Sequence, residues 1–271
     1  MTRTRGPLSQ SFLHVAGRTL SYVDFGGAGV PVLVIHGSFG RGTVFTRLAG
    51  DLAGQARVVA LDQRGHGLSD HTPGYRLDDF VEDAAEVLRR VVSGPAVVLG
   101  HSFGGIVAYH LAARYPELVT ALVIEDVGPV MRRPEVAHPV LDVRGWPATA
   151  PTREALAGQL AERGIPDASY FLHSAVQDGD HWRFLFEWDH MMEVQESGVG
   201  DWWSQWLSST CPALVLHGAA SPLLSTALAE RMVERRPHTR LVTFPTAGHW
   251  VHDDDPDGMA LAVGEFLRQL G

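Results

Sequence analysis

The sequence predicts an α/β fold: a mostly parallel sheet of about eight strands with helices on both faces, and a helical cap inserted after the sixth strand. Three observations carry this. Short apolar runs alternate with stretches of helical periodicity up to residue 126 and again from residue 213 onward. One of those runs, Ala96-Val97-Val98-Leu99-Gly100, gives way to helical spacing at Phe103, with Ser102 at the corner. Between Val127 and Ser209 the rhythm stops, and that segment holds six of the chain's seven tryptophans. The implied division is a core of residues 1–126 and 210–271 with residues 127–209 as its cap.

Each element follows from local pattern. Ser11 to Val15 and Thr19 to Phe25 alternate in strand fashion around Gly17, which predicts an antiparallel hairpin. Val32 to Ile35 is the first fully apolar strand, and it runs into the loop His36-Gly37-Ser38-Phe39-Gly40. Thr43 is placed to cap a helix reaching Ala53, and Arg57 to Leu61 is the next strand, ending in the polar turn Asp62-Gln63-Arg64-Gly65-His66-Gly67-Leu68-Ser69. Asp78 is placed to cap an amphipathic helix to Val92, whose stripe is Phe80, Val81, Ala84, Val87, Leu88 and Val91. The helix after Ser102 must stop at Tyr115, before Pro116, and Leu118 to Glu125 is the sixth strand. In the cap, Phe184, Trp188, Met191 and Met192 fall on one helical stripe, as do Trp202, Trp203, Trp206 and Leu207. Ala213 to Leu216, Ser225 to Arg235, Arg240 to Phe244 and Asp257 to Leu270 then complete the parallel rhythm.

Composition narrows the function classes. At 45% hydrophobic residues, 271 residues can bury one large core with an insertion. A net charge of −9 without a basic block argues against nucleic acid and anionic membrane surfaces as partners. Cys211 is the single cysteine, which excludes an intrachain disulfide and points to a reducing, cytoplasmic setting. The basic opening Met1 to Pro7 is followed by no apolar stretch of the kind a secretory signal needs, and no apolar run approaches the length of a membrane span.

A strand that becomes a helix within one residue forces that residue toward positive φ, at a cost of about 1–3 kcal/mol for a non-glycine side chain. Gly100 and Gly104 suit the geometry, because side chains two residues either side of the corner would collide. The result is a Ser102 hydroxyl held clear of its backbone, beside the Phe103 amide at a helix N-terminus. This G-x-S-x-G pattern has the form of a nucleophile elbow, although five residues alone fit an inert Gly-Ser-rich turn equally well. Ligands in such sheets gather at the carboxyl ends of the strands, where His36, Asp62, Ser102 and Asp126 all fall.

With the elbow, the His36-Gly37 loop, the D-x-R-G-x-G-x-S turn at 62–69 and the late Gly248-His249 in that order, the chain resembles the α/β-hydrolases from Phe12 to its C-terminus, the cap excepted. The resemblance implies Ser102 as nucleophile, His249 as base, and the amides of Ser38 and Phe103 as an oxyanion hole. A serine hydroxyl is a weak nucleophile until an imidazole accepts its proton, and two aimed amides would supply a few kcal/mol of transition-state stabilisation. His36, His66 and His101 are expected to brace loops, and Asp253-Asp254-Asp255 to form a solvated turn.

The third triad member departs from the family. Its usual Gly-x-x-Asp turn after the seventh strand reads Gly218-Ala219-Ala220-Ser221 here, and a hydroxyl cannot supply the charge that steadies an imidazolium. Asp126, directly after the sixth strand, is the favoured supplier, a position that one branch of the family uses, with Glu125 as competitor. Side chains alternate across a strand, so only one of the two should face His249.

The expected activity is cleavage of a carboxylic ester or lactone through an acyl-enzyme, on a small apolar substrate, with no metal or organic cofactor. Phe39, Trp182, Trp188, Met192 and Trp250 are the candidate substrate contacts. Carbon-carbon bond hydrolysis, lyase chemistry and cofactor-independent oxygenation share the scaffold and stand as alternatives, as does a non-catalytic ligand-binding member.

Overall fold

The computed structural model of the protein describes residues 10–270. Its centre is an eight-stranded sheet: β1 (Gln10–Val15), β2 (Arg18–Gly26), β3 (Val30–Ile35), β4 (Ala56–Asp62), β5 (Ala96–His101), β6 (Val119–Glu125), β7 (Ala213–Gly218) and β8 (Thr239–Phe244). The spatial order is β1-β2-β4-β3-β5-β6-β7-β8. The first two strands form the antiparallel hairpin, β2 pairs antiparallel with β4, and every pairing from β4 to β8 is parallel. Parallel strands need both faces covered, and β5 is accordingly buried along its whole length.

Helices Leu77–Val87, Phe103–Arg114, Thr226–Arg235 and Pro256–Leu270 supply most of that cover. Ser225 caps the third of these, its side chain accepting from the Leu228 amide, and Tyr115 ends the second ahead of Pro116. Two expected caps are not caps. The stretch opening at Gly42 is a tight turn preceded by Arg41, followed by a helix only over Thr46–Asp51, so Thr43 lies inside the turn. The next helix is preceded by Arg76, and Asp78 and Asp79 sit in its first turn, where negative charge favours the helix dipole. Its last stretch, Leu88–Val92, widens into a π turn closed by Ser93 at φ 66°.

The segment between β6 and β7 is helical only in part. Helices Arg153–Ala161, Trp188–Ser197 and Trp203–Ser208 alternate with a small antiparallel sheet made from Thr149–Ala150, His181–Phe184 and Ala175–Asp178. Phe184 therefore belongs to a strand rather than to the helical stripe of Trp188, Met191 and Met192. Its spacing from Trp188 suits a helix, but Gly179 at φ 62° closes a two-residue hairpin turn just before it.

Strand register sets the site. Ile35 pairs with Gly100 and with Leu61, His101 pairs with Glu125, and Glu125 pairs with Leu216. The residues at or just past the carboxyl ends of these strands, His36, Asp62, Ser102, Asp126 and His217, thus emerge on one rim. At the corner a Cβ on Gly100 would strike the backbone of Gly104, and one on Gly104 would strike the carbonyls of Ile35 and His36. Neither neighbour can yield without moving the sheet. Gly104→Ala is accordingly expected to destabilise the protein by about 2 kcal/mol or more, measured as a lower urea midpoint.

Candidate active site

Ser102 stands between β5 and its helix at φ 53°, ψ −124°, a conformation reached by few non-glycine residues. Its own amide donates to the Glu125 carbonyl at 3.0 Å, which pins the corner to the end of β6. The Ser38 and Phe103 amides donate to no other protein group among the described residues, so both are available to a ligand. Beside them the His36 ring is fixed in one tautomer: Nε2 accepts from the Gln63 amide at 3.0 Å and Nδ1 donates to the Gly37 carbonyl at 2.7 Å. Burial pushes its pKa down to about 4, so it braces the Ser38 loop as a neutral ring.

Asp126 and Glu125 diverge at the tip of β6, Asp126 at φ 51°. Asp126 is fully buried, and its Oδ2 accepts from His249 Nδ1 at 2.8 Å. Oδ1 accepts from the Gly218 amide at 3.0 Å, and the Ser221 hydroxyl donates a short hydrogen bond to Oδ2. His217 Nδ1 lies 3.5 Å from Oδ1 while its Nε2 is engaged with the Thr226 hydroxyl. Burial alone would raise the Asp126 carboxyl, but hydrogen bonds from His217, His249 and Ser221, together with the His249 charge, outweigh it and hold the pKa below the ordinary value. Glu125 turns instead to His252, accepting from its Nδ1 at 2.6 Å and from its amide at 2.9 Å.

A folded-state pKa below the unfolded one means that Asp126 contributes its full stabilisation above about pH 4 and loses it as the pH falls through the depressed value. The stability gap between wild type and Asp126→Asn is therefore expected to narrow as the pH drops from 6 to 3. Thermal melts across that range check it.

With Nδ1 committed to Asp126, Nε2 is the remaining nitrogen of His249, and the ring is largely buried. Ser102, His249, Ser38 and Phe103 line one cavity of about 980 Å³, mostly apolar. Of the expected substrate contacts, Phe39 and Trp250 line it, whereas Trp182, Trp188 and Met192 do not. Trp182 lies in the small sheet, Trp188 Nε1 donates to the Pro147 carbonyl, and Met192 Sδ accepts from the Val143 amide. Trp146, Tyr170, Ile106 and Leu223 contribute surface that composition alone did not single out. The D-x-R-G-x-G-x-S turn is structural. Asp62 Oδ1 accepts from the Gly42 amide at 2.7 Å and Oδ2 from the Leu68 amide at 3.0 Å, while Arg64 pairs with buried Asp83 at 2.7 Å. The acidic run is not merely solvated either: Asp254 accepts from the Gly248 amide at 2.7 Å and Asp255 from that of Gly258 at 2.9 Å.

A strand-corner serine, a carboxylate-held histidine and free amides on the rim of this sheet define the α/β hydrolase architecture, and the sequence profile of the Alpha/beta hydrolase family matches residues 32–262. The chain belongs to that family. It is 29% identical to Esterase YbfF of Escherichia coli (strain K12) over 247 residues, which are 88% of this chain and 93% of the relative. It is likewise 29% identical to the 2-(acetamidomethylene)succinate hydrolase of Mesorhizobium japonicum (strain LMG 29417 / CECT 9101 / MAFF 303099) over 257 residues, 93% and 92% of the two chains. The crystal structure of E-2-(acetamidomethylene)succinate hydrolase superposes with a TM-score of 0.87 at 26% identity, covering 97% of this chain and all of that one. No helix among the described residues is long and apolar enough to cross a membrane.

Proposed function

We propose that the protein is a serine hydrolase cleaving a carboxylic ester or lactone, with Ser102 as nucleophile, His249 as general base and Asp126 as the acid. Residues 127–209 serve as the lid over the site. The observation that carries this reading is the His249 Nδ1 to Asp126 contact at 2.8 Å within a cavity that Ser102 also lines. His249 takes the Ser102 proton as Oγ attacks the carbonyl carbon, and the Ser38 and Phe103 amides receive the developing oxyanion. The protonated imidazole, steadied by Asp126, returns its proton to the leaving alkoxide. Water, deprotonated by the same nitrogen, then releases the acid from the acyl-enzyme. A mostly apolar cavity of about 980 Å³ suits a medium-sized apolar or aromatic acyl or alcohol part.

The ester assignment rests on this site, since two relatives of equal identity are named for different substrates. A panel of p-nitrophenyl esters and lactones, run with an oxygen electrode in parallel, tests it. Turnover of esters without oxygen uptake is expected. Oxygen consumption with a heteroaromatic substrate, or inertness toward every ester and lactone in the panel, would overturn it.

A further inference from the structure

Glu125, beside Asp126, is a buried rim carboxylate that the proposed chemistry does not use. It is fully buried, and Oε1 accepts both the His252 amide and His252 Nδ1, while Oε2 has no partner among the described residues. Burying a carboxylate is costly unless something nearby compensates, and the compensation here comes from a histidine three residues beyond His249. The His252 ring also packs at 4.9 Å on His101 and at 5.7 Å on Tyr170, which reaches in from the inserted segment. His101, next to Ser102 in the chain, donates from Nε2 to the His249 carbonyl at 3.0 Å.

The backbone around His249 is therefore held at three points: Gly248 by Asp254, the His249 carbonyl by His101, and the His252 amide by Glu125. Burial disfavours a charged His252, yet the Glu125 charge and hydrogen bond more than offset this and raise its pKa. His101, Glu125 and His252 also place donor atoms within 4.8 Å of one another, a spacing that could hold a metal ion. Glu125 Oε1, His252 Nδ1 and His101 Nε2 are engaged in the contacts that fix this loop, whereas Glu125 Oε2 and His252 Nε2 have no hydrogen-bond partner among the described residues.

We infer that Glu125 and His252 are positioning residues: the pair anchors segment 249–252 so that the His249 imidazole stays on Asp126 and is not free to swing with its loop. The inference rests on the serine-hydrolase reading above. It assigns distinct work to the two carboxylates at the end of β6, one holding the ring of His249 and the other its backbone.

The test compares variants that break the tether, Glu125→Ala and His252→Leu, with His252→Asn, whose side-chain amide can still donate to Glu125. The readouts are kcat and KM on a p-nitrophenyl ester, the rate at which a fluorophosphonate labels Ser102, and near-UV circular dichroism to establish folding. Both breaking variants are expected to lose about 10–100-fold in kcat and in labelling rate with KM within about twofold, because a misplaced catalytic group costs rate more than binding. His252→Asn is expected to recover most of that loss. If Glu125→Ala does not fold, the contrast between His252→Leu and His252→Asn decides. Wild-type rates in a folded breaking variant would overturn the inference, as would His252→Asn no better than His252→Leu, a loss confined to KM, or a stoichiometric metal ion removed by these substitutions. A wild type that neither labels nor hydrolyses any ester fails at the earlier step, and overturns the serine-hydrolase reading together with this one.

Discussion

Ser102→Ala is expected to lower kcat for ester hydrolysis by on the order of 10⁴–10⁶-fold, with the fold unchanged. Removing the hydroxyl leaves His249, Asp126 and the two free amides in place, so what survives is binding and oxyanion stabilisation without a covalent route. Alanine tolerates the φ of 53° no better than serine does, and the hydrogen bond from residue 102 to the Glu125 carbonyl is a backbone bond that the substitution keeps. Circular dichroism should therefore match wild type while initial-rate assays on p-nitrophenyl esters show the loss. A residual activity within tenfold of wild type would mean that another group attacks.

Asp126→Asn should cost about 10⁴-fold in kcat through a change of tautomer rather than of shape. The asparagine oxygen can still accept from the Gly218 amide, which leaves its NH₂ facing His249. His249 would then accept at Nδ1 and carry its proton on Nε2, where it cannot take one from Ser102. Ser221→Ala, by contrast, removes one of several donors to Asp126 and is expected to cost far less than Asp126→Asn, because the Gly218 amide and His249 still hold the carboxylate. Initial-rate kinetics on the two variants separates them. Equal damage from Ser221→Ala and Asp126→Asn would show that the acid has been misassigned. The position after β7 thus keeps a part in the network by donating to Asp126, in place of the negative charge the family usually puts there.

The sheet was legible in the sequence because a buried parallel strand writes itself as a short apolar run, and each such run ends on the rim where the site residues fall. The positive φ at Ser102 follows from the abruptness of the strand-to-helix change, and Gly100 and Gly104 mark the same corner. The inserted segment was less readable. Trp182, Trp188 and Met192 suggested a cavity lining through bulk and spacing, but packing decided otherwise: the Trp188 indole sits among Phe39, Phe184 and Phe186. A signal for the small sheet was present in Gly179-Asp180, a two-residue hairpin turn between the two short strands.

What sequence could not supply are contacts between residues far apart in the chain. Tyr170 approaches His101 across 69 positions, with its hydroxyl 3.5 Å from Nδ1, and Glu125 meets His252 across 127. Only alternation along β6 hinted that its last two acids would part company, and it did not say what the second would find.

The most direct measurement is the mass of the intact protein and of its proteolytic peptides after incubation with a fluorophosphonate. A single phosphonyl adduct is predicted on the peptide containing Ser102, absent from Ser102→Ala and formed far more slowly in Asp126→Asn. A protein that turns over esters while remaining unmodified, or modified only at another residue, would contradict the account.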